Sequence, residues 1–230
     1  MEEQTGHIDA IIFGLEGSII TSENSWDRCL RLLLSEYGVD YNRVRLKPEM
    51  AGRTLEECAA ELKKRYPEYI KDDETYIAKR IRDFLADLID KGLAYEEGFE
   101  SFYAYAENNF KLAIATSMDR ELFTKMDEKI SFTRQFQAPV LFASSGKGKP
   151  DPSLFQEAAK ELGVDLKDCL AIEDSPNGIL AARHADAMVI GLAGTFSGQE
   201  LEDLSGLPAD KIFENYVEIE EWLRARGHSS

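Results

Sequence analysis

Gly148-Lys-Pro-Asp-Pro-Ser-Leu-Phe-Gln-Glu-Ala-Ala-Lys-Glu-Leu-Gly-Val164 and, shortly after it, Cys169-Leu-Ala-Ile-Glu-Asp-Ser-Pro-Asn-Gly-Ile-Leu-Ala-Ala-Arg183 form the stretch from which the fold is read. Leu154, Phe155, Ala158, Ala159 and Leu162 recur at helical spacing. They predict an amphipathic helix over about 152–162, with Asp151 placed to help cap it. Cys169–Ile172 is a short apolar run of the kind that forms a buried strand, and a helix follows from about Asn177. Between that strand and that helix stand two adjacent acids, Glu173 and Asp174. In an open α/β sheet, ligands bind outside the carboxyl ends of the strands. Two carboxylates placed there repel each other unless a cation joins them, so the pair reads as a metal candidate.

The same alternation extends in both directions. Ile8–Phe13 reads as a buried strand and Gly14–Thr21 as a loop. From Asn24 the pattern turns helical: Trp26, Leu30, Leu33, Leu34 and Tyr37 share one face, and Gly38 stops it. Leu55, Cys58, Ala59 and Leu62 predict a second helix with Thr54 as its N-cap. Ile77, Ile81, Phe84, Leu85 and Leu88 predict a third, ended by Gly92. Residues 23–93 therefore read as a helical block without a strand. A helix near 98–108, the strand Leu112–Ala115, a further helix and the strand Val140–Ala143 lead back to the opening stretch. Met188–Ile190 and Lys211–Phe213 read as late short strands. Alternating strands and helices imply a parallel sheet covered on both faces.

Bulk composition narrows the functional classes. The chain has 230 residues, of which 27 are Lys or Arg and 43 are Asp or Glu, a net charge of −16. That balance speaks against nucleic acid or an anionic membrane surface as partner, both of which need basic patches. Cys29, Cys58 and Cys169 are scattered and odd in number, with no CxxC pair, so neither a disulfide framework nor a zinc knuckle is expected. The acidic start MEEQTGHIDA does not read as a signal peptide, and no apolar run approaches membrane-spanning length. A cytoplasmic protein is expected. None of His7, His184 and His228 lies in an HExxH or nucleophile-elbow context, which speaks against triad or zinc hydrolysis.

Four segments at expected strand ends carry a resemblance. They are Phe13-Gly-Leu-Glu-Gly-Ser-Ile19, Ile114-Ala-Thr-Ser117, Gly148-Lys-Pro-Asp-Pro152 and Ile172-Glu-Asp-Ser-Pro-Asn-Gly178. In this order the chain resembles the haloacid dehalogenase superfamily, of the sugar-phosphatase and β-phosphoglucomutase type, over nearly its whole length. The resemblance implies an α/β fold with a Rossmann-like parallel-sheet core, residues 1–22 and 94–230, and an inserted α-helical cap, residues 23–93. It implies that Thr116 and Ser117 hold phosphate and that Lys149 neutralises phosphate and carboxylate charge. Glu173 and Asp174, with Glu16, would hold magnesium. The cap stretch Met50-Ala-Gly-Arg-Thr-Leu-Glu-Glu57 resembles a substrate-contacting loop, which makes Arg53 a candidate for a substrate anion.

The departures from the family pattern bear on activity. The first motif of the family reads Phe-Asp-x-Asp-Gly-Thr-Leu; its first aspartate attacks phosphorus and its second serves as acid and base. Here those positions are Gly14 and Glu16. Gly14 has no side chain with which to attack or to ligate, and Glu16 carries its carboxyl one methylene further out, a displacement that can cost about a hundredfold. Trp26 occupies a position where mutases of the family keep a histidine, which speaks against a sugar-phosphate mutase; its helical spacing suits packing within the cap. Three readings follow. One is a pseudoenzyme that binds a phosphorylated small molecule or a protein partner. The second is a magnesium-dependent phosphomonoesterase in which Glu16 or an activated water attacks. The third is an engineered inactivating change, against which the altered Glu16 speaks. Loss of the first aspartate weakens magnesium binding without abolishing it. It also lowers local negative charge, so an anion is expected near Thr116, Ser117 and Lys149, with the volume vacated at position 14 open to a phosphate oxygen or water.

Overall fold

The computed structural model of the chain describes residues 7–21, 23–143, 147–193 and 206–227. Residues 1–6 and His228 lie outside them. Six strands, β1 (Ala10–Phe13), β2 (Lys111–Thr116), β3 (Val140–Phe142), β4 (Cys169–Glu173), β5 (Met188–Leu192) and β6 (Lys211–Phe213), form one sheet in the order β3-β2-β1-β4-β5-β6. Every neighbouring pair is parallel. The helices are α1 (Glu23–Glu36), α2 (Arg43–Met50), α3 (Leu55–Arg65), α4 (Glu74–Lys91), α5 (Phe99–Asn109), α6 (Arg120–Ile130), α7 (Phe132–Gln135), α8 (Ser153–Leu162), α9 (Pro176–His184) and α10 (Tyr216–Ala225). No helix among the described residues is long and apolar enough to cross a membrane.

The central strands are continuous apolar runs because both faces of the sheet are covered. Side chains alternate between those faces. From β1, Ala10 and Ile12 pack with Leu154, Phe155 and Ala158 of α8 and with Ile179 and Ala182 of α9. Ile11 and Phe13 point the other way, into a cluster with Phe99 and Phe102 of α5 and Tyr216 and Ile219 of α10. That second cluster continues into the helical block through Leu30, Leu33, Leu62, Ile77 and Ile81. Within the block, α4 packs against both α1 and α3, and it also meets α6 of the sheet-flanking layer.

Local signals set the boundaries. Thr54 caps α3 through a reciprocal capping box with Glu57. Ser175 caps α9, accepting from the Gly178 N–H at 3.0 Å. Three helices have no counterpart among the expected elements: α2, the four-residue α7 and α10. α2 buries only Leu46 and Met50 and carries Pro48 in its interior, so it shows little helical periodicity. α10 does show the spacing, through Tyr216, Ile219 and Leu223.

Candidate functional site

The sheet register builds the site. Phe13 lies beside Ile114 of β2 and Ile172 of β4, so the carboxyl ends of these three strands are level. β1 is also where the order reverses, from strands running outward through β2 to strands running outward through β4. A crevice opens at such a switch point. One residue beyond Phe13, the Gly14 N–H donates to the Ile172 carbonyl at 2.9 Å, which places Gly14 next to Glu173.

This adjacency decides what occupies position 14. A Cβ built on Gly14 would lie 2.8 Å from Ser18 Oγ and 2.9 Å from Glu173 Oε1. A Cβ on Gly178, in the first turn of α9, would overlap the same carboxyl. Glu173 is thus threaded between two glycines, 1% exposed, and ion-pairs with Lys149 Nζ. Lys149 is itself buried and also donates to the Ala115 carbonyl at 3.0 Å. The volume expected to be open at position 14 is therefore filled by the Glu173 carboxyl and the Ser18 hydroxyl, and Lys149 already has an anionic partner.

The loop after β1 is tied down residue by residue. Its turn closes through the Gly17 N–H to the Ile20 carbonyl at 2.7 Å. Ser18 Oγ donates to Asp174 Oδ1 at 3.1 Å, and the buried Tyr216 hydroxyl donates to the Ser18 carbonyl at 2.6 Å. Trp26 does more than pack in the helical block: its indole N–H donates to Glu16 Oε1 at 3.0 Å. Thr116 Oγ1 accepts from the Met118 N–H at 2.9 Å, which leaves its own proton free to donate. Ser117 Oγ accepts from the Lys149 N–H at 3.4 Å and does not line the cavity.

A cavity of about 70 Å³ brings together Glu16, Thr116, Lys149, Glu173 and Asp174 from the strand ends with Arg53 from the loop before α3. The same loop is fastened to the sheet side. The Gly52 carbonyl accepts from the Lys149 N–H at 3.0 Å. Glu57 Oε2 accepts from the Gly148 N–H at 3.1 Å. Asn177 Nδ2 donates to the Pro48 carbonyl at 3.2 Å and the Ala51 carbonyl at 2.8 Å. Gly52 holds a φ of +84°, and a Cβ there would press on Ser175 and Lys149, so this close approach requires glycine.

Burial governs the electrostatics of the cavity. It raises the Glu173 carboxyl above its ordinary range, with Lys149 opposing. It pushes Asp174 up to about 7, helped by the neighbouring Glu173 charge and opposed by Lys149 and Ser18. It raises Glu16 against the pull of the Trp26 hydrogen bond and of Lys149. Glu96, which also lines the cavity, is pushed up to about 7 by burial alone. Nothing in Ala94-Tyr-Glu-Glu-Gly98 separates Glu96 from a solvated acidic turn, and sequence reasoning does not find it.

The three carboxylates assigned to magnesium by resemblance are each engaged with the protein: Glu16 with Trp26, Glu173 with Lys149 and Asp174 with Ser18. Among the described residues no three acidic, histidine or cysteine side chains converge on a point. In this arrangement they do not form a ready divalent-cation cage.

Comparisons agree with the fold. The family model for haloacid dehalogenase-like hydrolases matches residues 8–186. Hexitol phosphatase B of Escherichia coli K12 is 25% identical over 177 residues, covering 76% of this chain and 79% of that protein. A phosphorylated carbohydrates phosphatase of Thermotoga maritima is 24% identical over 184 residues, covering 77% of this chain and 82% of that protein. The crystal structure of β-phosphoglucomutase from Clostridium difficile superposes with a TM-score of 0.76 at 20% identity, covering 95% of this chain and 96% of that one, a likeness of fold. With the parallel sheet and the family model in agreement, the chain belongs to the haloacid dehalogenase-like hydrolases.

Proposed function

We propose that this chain binds a phosphorylated small molecule in the strand-end cavity and does not hydrolyse it through a phosphoaspartate. Residues 23–93 would serve as the cap that encloses the ligand, Thr116, Lys149 and Arg53 would receive its anionic group, and the relatives that act on phosphorylated carbohydrates support that ligand class. The observation that carries the reading is at position 14. A glycine stands where the family's nucleophile would be, and the Glu173 carboxyl and Ser18 hydroxyl take up the space beside it. Loss of a covalent nucleophile can lower turnover by on the order of a millionfold, as in a serine protease. Magnesium, where it binds, would rest on Asp174 with Glu173 and Glu16 once Glu173 leaves Lys149, so binding is weak. A cytoplasmic location belongs to the same reading, and a protein partner is the alternative to a small-molecule ligand.

The test is a phosphatase assay with magnesium and p-nitrophenyl phosphate on the wild type and on the double variant Gly14→Asp, Glu16→Asp. Background rates are expected for the wild type. Robust magnesium-dependent hydrolysis by the wild type, abolished by Lys149→Ala, would establish another nucleophile and overturn the reading.

A further inference from the structure

Two side chains of opposite charge, Glu96 and Arg53, line the cavity. Glu96 is 7% exposed, lines the cavity, and its carboxyl makes no hydrogen bond or ion pair among the described residues. No cation offsets its burial, which alone pushes it up to about 7. Arg53 lines the same cavity, and its buried Nε has no hydrogen-bond partner among the described residues. The Arg53 Nε is one of the few buried polar atoms among the described residues without a partner, whereas the Glu96 carboxyl faces the cavity itself. Among the described residues the two line one cavity without pairing with each other, so the Glu96 carboxyl and the Arg53 Nε each face it without a hydrogen-bond partner.

The other carboxylates of the cavity differ from Glu96 in this respect. Glu16, Glu173 and Asp174 are held by Trp26, Lys149 and Ser18. A divalent cation, where one binds, would rest on Asp174, Glu173 and Glu16, and Glu96 is not needed for it. An ammonium group needs less. It is a compact charge with three donors, and one desolvated carboxylate suffices as its partner.

We propose that the cavity takes a zwitterionic ligand, a phosphorylated primary amine, with its ammonium group on Glu96 and its phosphate on the side of Lys149 and Arg53. The inference rests on the reading of the cavity as a phosphate-ester site and adds the second half of the ligand. A hydroxyl in place of the ammonium would leave Glu96 without a charged partner. A hydrogen bond to a charged group contributes about 1.5–3 kcal/mol, which corresponds to roughly tenfold or more in affinity.

The experiment is calorimetric titration of the full chain with 2-aminoethyl phosphate, 2-hydroxyethyl phosphate and inorganic phosphate, repeated on Glu96→Gln. Glu96→Asp, which keeps the charge, is carried in parallel. The expected result is about tenfold tighter binding of the amino ester than of the hydroxy ester by the wild type. That preference should collapse in Glu96→Gln and survive in part in Glu96→Asp. Equal affinity for the two esters, or a preference unchanged by Glu96→Gln, would overturn the inference while the phosphate reading stands. Binding of the amino ester through Glu96 that inorganic phosphate fails to displace would retain the ammonium site and overturn the phosphate reading. No heat with any of the three would overturn both.

Discussion

Position 14 carries no side chain, and the register of β1 and β4 brings the Glu173 carboxyl beside it. The buried Lys149–Glu173 pair that results should be strongly coupled. Lys149→Met strands the Glu173 charge and is expected to lower unfolding free energy by about 3–5 kcal/mol, whereas Lys149→Met with Glu173→Gln should recover most of that loss. Urea denaturation of the single and double variants measures it; additive losses would show that the pair is not coupled. Glu96 and Asp174 set a second expectation, because burial pushes both up to about 7 from ordinary values of 4.5 and 3.8. Folded, they keep protons that the unfolded chain has released. Their stabilising contribution is complete below the unfolded values and is lost as pH rises through about 7, so stability falls over that window. For Glu96 the loss is at most about 3 kcal/mol. The thermal stability of Glu96→Gln relative to wild type should therefore grow from about pH 5 to about pH 8. A difference independent of pH would contradict the assignment. Lys149, Glu173 and Asp174 are legible in sequence because their motifs fix strand-end positions. Glu96 is not, since lacking a partner is a property of the folded surroundings and leaves no local pattern.

Among the elements, those with one dominant signal are the ones the sequence displays. The strands announce themselves as short apolar runs, and α3, α4 and α8 as one-sided helices with caps or glycine stops. α2 has none of these apart from Asn42 at its N-cap, and its Pro48 argues locally against a helix. It is held by tertiary contacts instead, and the Pro48 carbonyl is one of the two acceptors of Asn177 at the start of α9. That contact makes a prediction at this scale. Asn177→Ala removes both side-chain bonds between α9 and the 48–51 segment while leaving the Ser175 cap of α9 intact. Amide hydrogen exchange over about 50–54 should quicken by about five- to tenfold, the effect of losing roughly 1 kcal/mol of local closure, with little change within β1 or β4. Unchanged exchange in that loop would mean that the Gly52 and Glu57 contacts alone hold it.

Taken whole, the molecule carries a net charge of −16, and its ion pairs do not cancel that excess. Self-repulsion on this scale opposes compaction and is screened within about 8–10 Å at ordinary salt. Raising sodium chloride to about 0.5 M is expected to increase the melting temperature, because repulsion between unpaired surface acids weakens more than the few exposed pairs lose. A falling melting temperature would indicate that attractive pairs dominate. The path of the chain through the fold has a different kind of consequence. Ile20, just after β1, pairs antiparallel with Tyr95, just before α5, and the Thr21 N–H meets the Ala94 carbonyl at 2.9 Å. The chain thus departs toward the helical block and returns from it through a single narrow stalk. Paired antiparallel segments are close enough to be joined by a turn of about two residues. In chain path the helical block begins and ends at one pair of neighbouring segments, so a change in its length need not move the strands on either side of the stalk.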